Sequence, residues 1–397
     1  MKSSIDQLYN ISNKYSKRII GLMSGTSLDG LDIALCDISG NGKDTSINLL
    51  NFTTIPYDDH FKNEITFIAS KKEVELERVC MLNEAIARKH ATMINECLIK
   101  WGINNSSIDL IASHGQTIYH APEIFHKNDY YNNATLQIGD GDHIATLTGI
   151  ITISDFRQKH VAAGGEGAPL VSYGDYLLFA KDQTNKILLN IGGIANLTFI
   201  PANANFEDII STDIGPGNTL MDKWIKREIP EMHFDNNGEM ASKGKVNATL
   251  LNKMLSHPFF SLPLPKTTGP ELFNLAFIDM AIQELDIPAI PTEDMLATLN
   301  KLTAVSICNA INKIIPKNAT VELMISGGGL KNNALISTLK NDLQLCIFKD
   351  HTLHADAKEA MLFAILANET LSGNESTFGK GSPHLPNISM GKISFPN

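Results

Sequence analysis

One order of elements occurs twice along this chain, and it limits the possible folds more than any composition figure does. Residues 21 to 37, GLMSGTSLDGLDIALCD, are an apolar run, a turn crowded with Gly, Ser, Thr and Asp, and a second apolar run. Leu49 to Tyr57 offers a further strand. Lys71 to Gly102 reads as helical, with Leu82, Ile86, Met93, Cys97 and Trp101 near the helical period, and Ile108 to Ala112 is a short apolar run entering Ser113-His114-Gly115-Gln116-Thr117. The order then returns: Lys186 to Ile200, KILLNIGGIANLTFI, is strand, Gly-Gly turn, strand. A helical stretch follows with Ala304, Ile307, Cys308, Ile311, Ile314 and Ile315 on one face, and Val321, Leu323 and Ile325 lead into Ser326-Gly327-Gly328-Gly329. Strands alternating with helices make the class α/β, and two like halves are expected to face each other across a cleft. Ligands of such folds collect at the carboxyl ends of strands, where these glycine loops lie. Hairpins and βα units are common enough to imitate a duplication, so the sequence leaves that alternative open.

A chain of 397 residues suggests two domains. The balance of 33 Lys and Arg against 43 Asp and Glu, with no dense basic run, argues against a nucleic-acid partner. Five cysteines, odd in number, scattered and without a C-x-x-C, read as reduced core thiols. Residues 1 to 17 hold no apolar segment of a secretory signal, and no apolar run reaches the roughly 18 residues of a membrane span. A cytoplasmic protein with no membrane partner is the expectation.

The first hairpin has the parts of a nucleotide-metal site. Glycine lets backbone N–H groups approach an anion, Ser24, Thr26 and Ser27 add hydroxyls, and Asp29 and Asp32 can hold a hydrated Mg²⁺. No Walker motif and no dinucleotide fingerprint is present, and an ordinary hairpin explains the same residues. Residues 211 to 223, STDIGPGNTLMDK, repeat the ingredients: Asp213, Gly215, Gly217, Asn218 and Thr219 precede a helical Leu220 to Ile229, where free N–H groups can meet a second phosphate. Gly327, Gly328 and Gly329 let the backbone approach a flat ring or a phosphate.

The reacting group is sought in residues 153 to 170, ISDFRQKHVAAGGEGAPL. In an extended segment Asp155 and Arg157 point to the same side, so the guanidinium can position a carboxylate that serves as general base; a structural ion pair is the alternative. His114, Gln116, Gln137, Asp140 and Asp142 are expected in loops after strands, able to hydrogen-bond a sugar-like ligand or only their own turns. KTTGPELFN, residues 266 to 274, is expected to open a helix and to place Glu271 near the cleft; a carboxylate that only serves the helix's first turn is the alternative. Asp356 to Ala360 begins an apolar helix to Leu371, with Asp356 as a cap and Glu359 turned toward the site. The last 20 or so residues, with Gly379, Gly381, Pro383 and Pro386, look loop-like.

In this order, GLMSGTSLDGLD, ASHGQT, LQIGDG, SDFRQKHVAAGGEGAPLV, NIGGIANLT, DIGPGN, TTGPELFN, SGGGLKNN and DAKEAMLFA resemble the anhydro-N-acetylmuramic acid kinases, from about Arg18 to about Leu371. The resemblance implies a duplicated actin/hexokinase-like (ribonuclease H-like) two-domain fold with an ATP cleft between domains. The expected division is 18–150 plus 370–397 as domain I and 151–369 as domain II. It implies that ATP, water and 1,6-anhydro-N-acetylmuramic acid give N-acetylmuramic acid 6-phosphate and ADP in peptidoglycan recycling. Asp155 matches the family's catalytic base, and Glu359 a carboxylate that helps hold the attacking water. Gly25, Thr26, Ser27, Leu28, Asp29, Gly30, Leu31 and Asp32 match its ATP-phosphate segment.

With that resemblance, Asp213, Gly215, Gly217, Asn218, Gly327, Gly328 and Gly329 are assigned to the nucleotide. His114, Gln116, Asp140, Arg157 and Glu271 go to the sugar, Asp29 and Asp213 to Mg²⁺, and a homodimer is suggested. Two positions depart from the family pattern: Ile214 stands where a Thr commonly follows the Asp of DIGPGN, and Pro270 where an Arg precedes Glu271. Competing readings are a kinase of another sugar, with Asp155 acting on a hydroxyl, and an actin- or chaperone-like ATPase.

Overall fold

The computed structural model describes residues 2–168, 170–180, 182–316, 319–349, 357–373 and 386–396. The chain divides into two units, one of Met1–Lys181, Asn205–Glu207 and Ala357–Asn397, the other of Asp182–Ala204 and Asp208–Asp356.

In the first unit the apolar runs on either side of the Gly-rich turn become strands β1 (Ser16–Ser24) and β2 (Gly30–Ser39), followed by β3 (Ser46–Pro56). The three form an antiparallel meander, and β4 (Leu110–Ala121) then adds in parallel beside β1, with β6 (Thr152–Ser154) parallel beside β4; β5 (Ala134–Ile138) pairs antiparallel with β4. Central strands covered on both faces need apolar residues on both, which is why neighbours Ile19 and Ile20 are both fully buried.

The second unit repeats the plan. Strands β7 (Asn185–Ile191), β8 (Ile194–Ile200) and β9 (Ile210–Pro216) form the meander, β10 (Val321–Ser326) lies parallel to β7, and β11 (Cys346–Lys349) parallel to β10. The first sheet runs β3-β2-β1-β4-β6 and the second β9-β8-β7-β10-β11, with the same strand senses at matching places; β5 is an addition to the first sheet alone. That is the duplicated ribonuclease H-like plan, and it removes chance resemblance of hairpins as an explanation. The C-terminal strand β12 (Lys392–Ser394) returns to the first sheet, antiparallel to β6.

Corresponding helices precede the fourth strand of each sheet. Leu76–Trp101 packs Ala87, Ile94 and Leu98 on the first sheet and ends at Gly102, whose φ of 68° supplies the left-handed cap. Thr292–Ile314 packs Ala304, Ile307 and Ile311 on the second. The helix Lys358–Ser372, with every residue from Ala360 to Glu369 buried, lies against β1. A methyl group on Gly21 would sit 1.9 Å from the Ala360 carbonyl oxygen, so only glycine allows that approach.

Several expectations need correction. Residues 151–181 and 357–369 sit with the first unit, not the second, because β6 extends the first sheet and Lys358–Ser372 packs on its centre. Ser113 to Thr117 are not a loop: β4 runs through them to Ala121, with Gly115 at φ 70° in the same stretch where pairing to β1 shifts register. Cys80 is exposed, whereas Cys36, Cys97, Cys308 and Cys346 are buried free thiols. Asp356, Gly379, Gly381 and Pro383 lie outside the described residues. Among the described residues no helix is long and apolar enough to cross a membrane.

Candidate active site

The turn between β1 and β2 exposes Thr26, Ser27 and Asp29, while Leu28 turns inward at φ 58°. Nothing but Ser27 lies near the place of a Gly25 side chain, so this backbone is open to a ligand. Gly30 has a different reason: a side chain there would strike the Ile55 carbonyl at 2.3 Å. Leu31 is core, and Asp32 is half-buried, accepting from the Thr54 hydroxyl at 2.6 Å. The hairpin residues therefore divide into an exposed rim and a packed base.

Beneath the rim, buried Ser24 donates to Gln116 Oε1 at 2.5 Å and receives the Tyr57 hydroxyl at 2.9 Å, and Tyr57 meets His90 Nε2 at 2.8 Å. Gln116 Nε2 donates to the Gly25 carbonyl at 3.3 Å. Beside it, Arg157 donates from Nε to His114 Nε2 at 3.0 Å and from Nη1 to the Gly167 carbonyl at 2.7 Å, and His114 Nδ1 bonds the Gly115 carbonyl at 2.9 Å. His114 thus holds its proton on Nδ1. Burial first, then the Arg157 charge, lowers its pKa to about 3, and burial lowers that of Arg157 to about 10.

Asp155 lies one residue past β6, in the left-handed region at φ 56° and ψ 46°, where aspartate is among the few side chains tolerated. The following residues, Phe156–Ala162, are helical. The extended segment that would have put Asp155 and Arg157 on one side is therefore absent, and Asp155 pairs with Lys392 of β12 instead. Ser113 pairs in register with Ser154, so His114 within β4 and Asp155 just past β6 follow the last pair of the two strands at the same end. The Glu359 carboxyl keeps contact with solvent in a concave setting. Its pKa is raised by desolvation first and by the charge of Asp32, with Lys358 and Arg157 opposing. Asp140, by contrast, caps the helix Gly141–Thr148 by accepting from Asp142 N at 2.8 Å, and Gln137 lies on β5 bonded to Thr117 and Thr135.

In the second unit the tip of the β7–β8 hairpin, Gly192-Gly193, packs into the loop after β9. The N–H groups of Gly217, Asn218 and Thr219 donate to the carbonyls of Gly193, Gly192 and Gly193 at 2.9, 2.8 and 3.1 Å. The helix Thr219–Glu228 therefore does not present these N–H groups freely to an anion, as the sequence suggested. Gly217 has no room for a side chain, which would lie 2.2 Å from the Gly192 oxygen. Of the triple glycine, Gly327 at φ 84° and Gly329 pack on Ile191, while Gly328 is exposed with only Asn218 Nδ2 at 3.6 Å from where its side chain would begin.

Asp213 on β9 accepts from Thr268 N at 2.9 Å, and burial raises its pKa, with Thr268 opposing and Glu271 adding to the rise. Ile214 beside it is buried in the sheet core, and Gly215 passes Phe260 with φ 152°. Glu271 is not in a helical first turn. It lies in the turn before the helix Leu275–Leu285, capped by Asn274, and its carboxylate folds over Gly269.

The first unit thus gathers Ser24, Asp32, His114, Gln116, Arg157 and Glu359, and the second gathers Asp213, Glu271 and the glycine loops. The sequence did not single out Tyr57, His90 or Lys392 for the site. A buried Tyr and His in apolar stretches and a Lys near the C-terminus carry no local signal, and only the pairing of β12 with β6 brings Lys392 to Asp155.

Comparison with known proteins gives one answer. The family model described as anhydro-N-acetylmuramic acid kinase matches residues 17–395. A protein of that name from Pseudoalteromonas atlantica is 51% identical over 404 residues, with 100% of both chains covered. One from Caldanaerobacter subterraneus subsp. tengcongensis is 40% identical over 395 residues, covering 98% of this chain and 100% of the relative. One from Bacillus cereus (strain B4264) is 38% identical over 384 residues, covering 95% and 97%.

Proposed function

The chain belongs to the anhydro-N-acetylmuramic acid kinase family, and on that premise we propose that Asp155 is the base through which it couples opening of the anhydro sugar to phosphorylation. It is an enzyme, a sugar kinase: ATP, water and 1,6-anhydro-N-acetylmuramic acid yield N-acetylmuramic acid 6-phosphate and ADP. The reading further takes it as a cytoplasmic homodimer serving recycling of peptidoglycan amino sugars.

Asp155 takes a proton from water as the water oxygen bonds to C1. The C1–O6 bond breaks and O6 takes the γ-phosphoryl group, so ADP leaves and the proton remains on Asp155. The first half resembles an inverting glycosidase step, the second an in-line phosphoryl transfer. The position of Asp155 supports this role: it stands at the carboxyl end of β6, where the pairing with β4 ends beside His114, with its side chain partly open to solvent. Arg157, held in place by the buried His114, offers a positioned guanidinium to the sugar, Gln116 lies next to the hairpin, and Glu359 supports the water.

Thr26 and Ser27 on the exposed rim suit phosphate oxygens, and the bare backbone at Gly328 beside Asn218 suits the nucleotide. Among the described residues no group of three His, Cys, Asp or Glu forms a cage for a metal. Mg²⁺ keeps several waters and takes one or two carboxylates together with phosphates. Asp29 and Asp213 are the carboxylates proposed to hold it. When bound, Mg²⁺ neutralises phosphate charge.

ADP release is measured with Mg-ATP and the 1,6-anhydro sugar in water enriched in heavy oxygen, for wild type and Asp155→Asn. Label in the anomeric hydroxyl before mutarotation, with activity lost in the variant, is the expected result. Phosphate transfer surviving in Asp155→Asn, or ADP release that ignores the anhydro sugar, would overturn it.

A further inference from the structure

We infer that His90, Tyr57 and Ser24 are a positioning relay that holds Gln116 and, through it, presets the Gly25–Thr26 peptide to offer an N–H to a phosphate; this rests on reading the hairpin as the phosphate site. The four side chains come from the helix Leu76–Trp101, the residue after β3, the end of β1 and β4, and all are buried.

The direction of each bond follows from which atoms carry protons. Gln116 Nε2 donates to the Gly25 carbonyl, which leaves Oε1 toward Ser24, and a carboxamide oxygen only accepts. The Ser24 hydroxyl therefore donates its one proton to Gln116 and accepts from Tyr57. Tyr57 has then used its own proton, so the 2.8 Å contact to His90 is a bond donated by Nε2–H. His90 is the Nε2–H tautomer. Its Nδ1 is buried and without a hydrogen-bond partner among the described residues, so a second ring proton would have no acceptor. Burial accordingly lowers the His90 pKa to about 3, and the relay keeps one direction across the working range of pH.

The consequence appears at the hairpin. The Gly25 carbonyl accepts from Gln116 Nε2 and from Leu28 N, each at 3.3 Å, and so points into the protein. In a trans peptide the next N–H points the opposite way. The Thr26 N–H is thus directed away from the buried network, on the side where Thr26 and Ser27 are exposed. An anion there meets an already oriented donor, and no reorganisation is needed on binding.

The test is steady-state kinetics of the full chain with separate titrations of ATP and of the anhydro sugar, alongside thermal melting. Tyr57→Phe removes the hydroxyl, and the expected result is an ATP KM raised about fivefold, a sugar KM within about twofold, and an intact fold. His90→Leu should copy it, and His90→Gln, whose amide N–H can replace the Nε2–H donor, should restore the ATP KM. Unchanged ATP KM in Tyr57→Phe, or an equal rise in both KM values, overturns the relay. Thr26→Pro deletes the proposed donor. If it leaves the ATP KM unchanged, the hairpin reading itself fails; if it raises the KM while Tyr57→Phe does not, the relay alone falls.

Discussion

Arg157 donates from Nε to Nε2 of His114 at 3.0 Å, so the side-chain partner of this half-buried guanidinium is a neutral histidine and not Asp155. Its second bond, from Nη1 to the Gly167 carbonyl, uses another prong of the same planar fork. A lysine has one ammonium and cannot hold both. Arg157→Lys is expected to lower kcat/KM for the anhydro sugar roughly 10- to 100-fold with the ATP KM little changed. Equal loss for both substrates would show that the pair only supports the fold.

The Asp155–Lys392 pair joins side chains that are 24% and 66% exposed. Pairs this open to water contribute between 0 and about 1 kcal/mol. Asp155→Asn should therefore melt within about 3 °C of wild type while losing activity at least 100-fold. A large fall in melting temperature would assign the lost activity to the fold and not to the missing base.

Two adjacent glycines should separate function from packing. A methyl group at Gly328 meets nothing closer than Asn218 at 3.6 Å, so Gly328→Ala should fold normally and raise the ATP KM several-fold, about 3- to 10-fold. At Gly329 the same group would lie 2.3 Å from Ile191 Cγ2, and Gly329→Ala should cost about 1–3 kcal/mol of stability in urea denaturation. The reverse pattern would remove Gly328 from the nucleotide site.

Stability should fall in acid. His90, His114 and His160 have pKa values lowered by burial to about 3, 3 and 4, so between these values and about 6.5 the unfolded chain binds protons that the native chain does not. The contribution is complete above about pH 6.5 and lost as pH falls, by about 2 kcal/mol per histidine at about pH 5. The carboxyls of Asp213, Asp222 and Glu359, raised chiefly by burial, act with the opposite sign, so one histidine is best isolated. His160→Gln should reduce the stability change between about pH 7.5 and about pH 5 by about 2 kcal/mol, read from urea midpoints. No reduction would mean that His160 is protonated in the native state.

Much of the fold was legible because its signals are local. The runs flanking Gly25–Gly30 and Gly192–Gly193 marked both hairpins, and the 3.6-residue spacing of Ile86, Met93 and Cys97, closed by Gly102, marked the long helix and its C-terminal end, although it begins at Leu76 and not at Lys71. What failed depends on distant pairing. β6 is three residues long and owes its existence to β4, so nothing near Thr152 announces which unit owns it. The Asp155–Arg157 pairing failed for a related reason: alternation holds only in extended chain, and a left-handed residue followed by a helix breaks it. The apparent anion site before Thr219 failed because its N–H groups are already taken by a hairpin more than 20 residues upstream. Motif spacing named residues at the site but could not say which of them face a ligand.

The contact of Gly21 with Ala360 also bears on how the chain is made. β1 leaves the ribosome long before the helix that covers it, Lys358–Ser372, with β12 later still. During synthesis the apolar surface of β1 waits through more than 300 residues for its cover, while the second unit, almost continuous in sequence, can complete its own sheet. A chain stopped short of Lys358 would keep that surface exposed, so nascent or truncated products should be the species that chaperones bind and proteases clear.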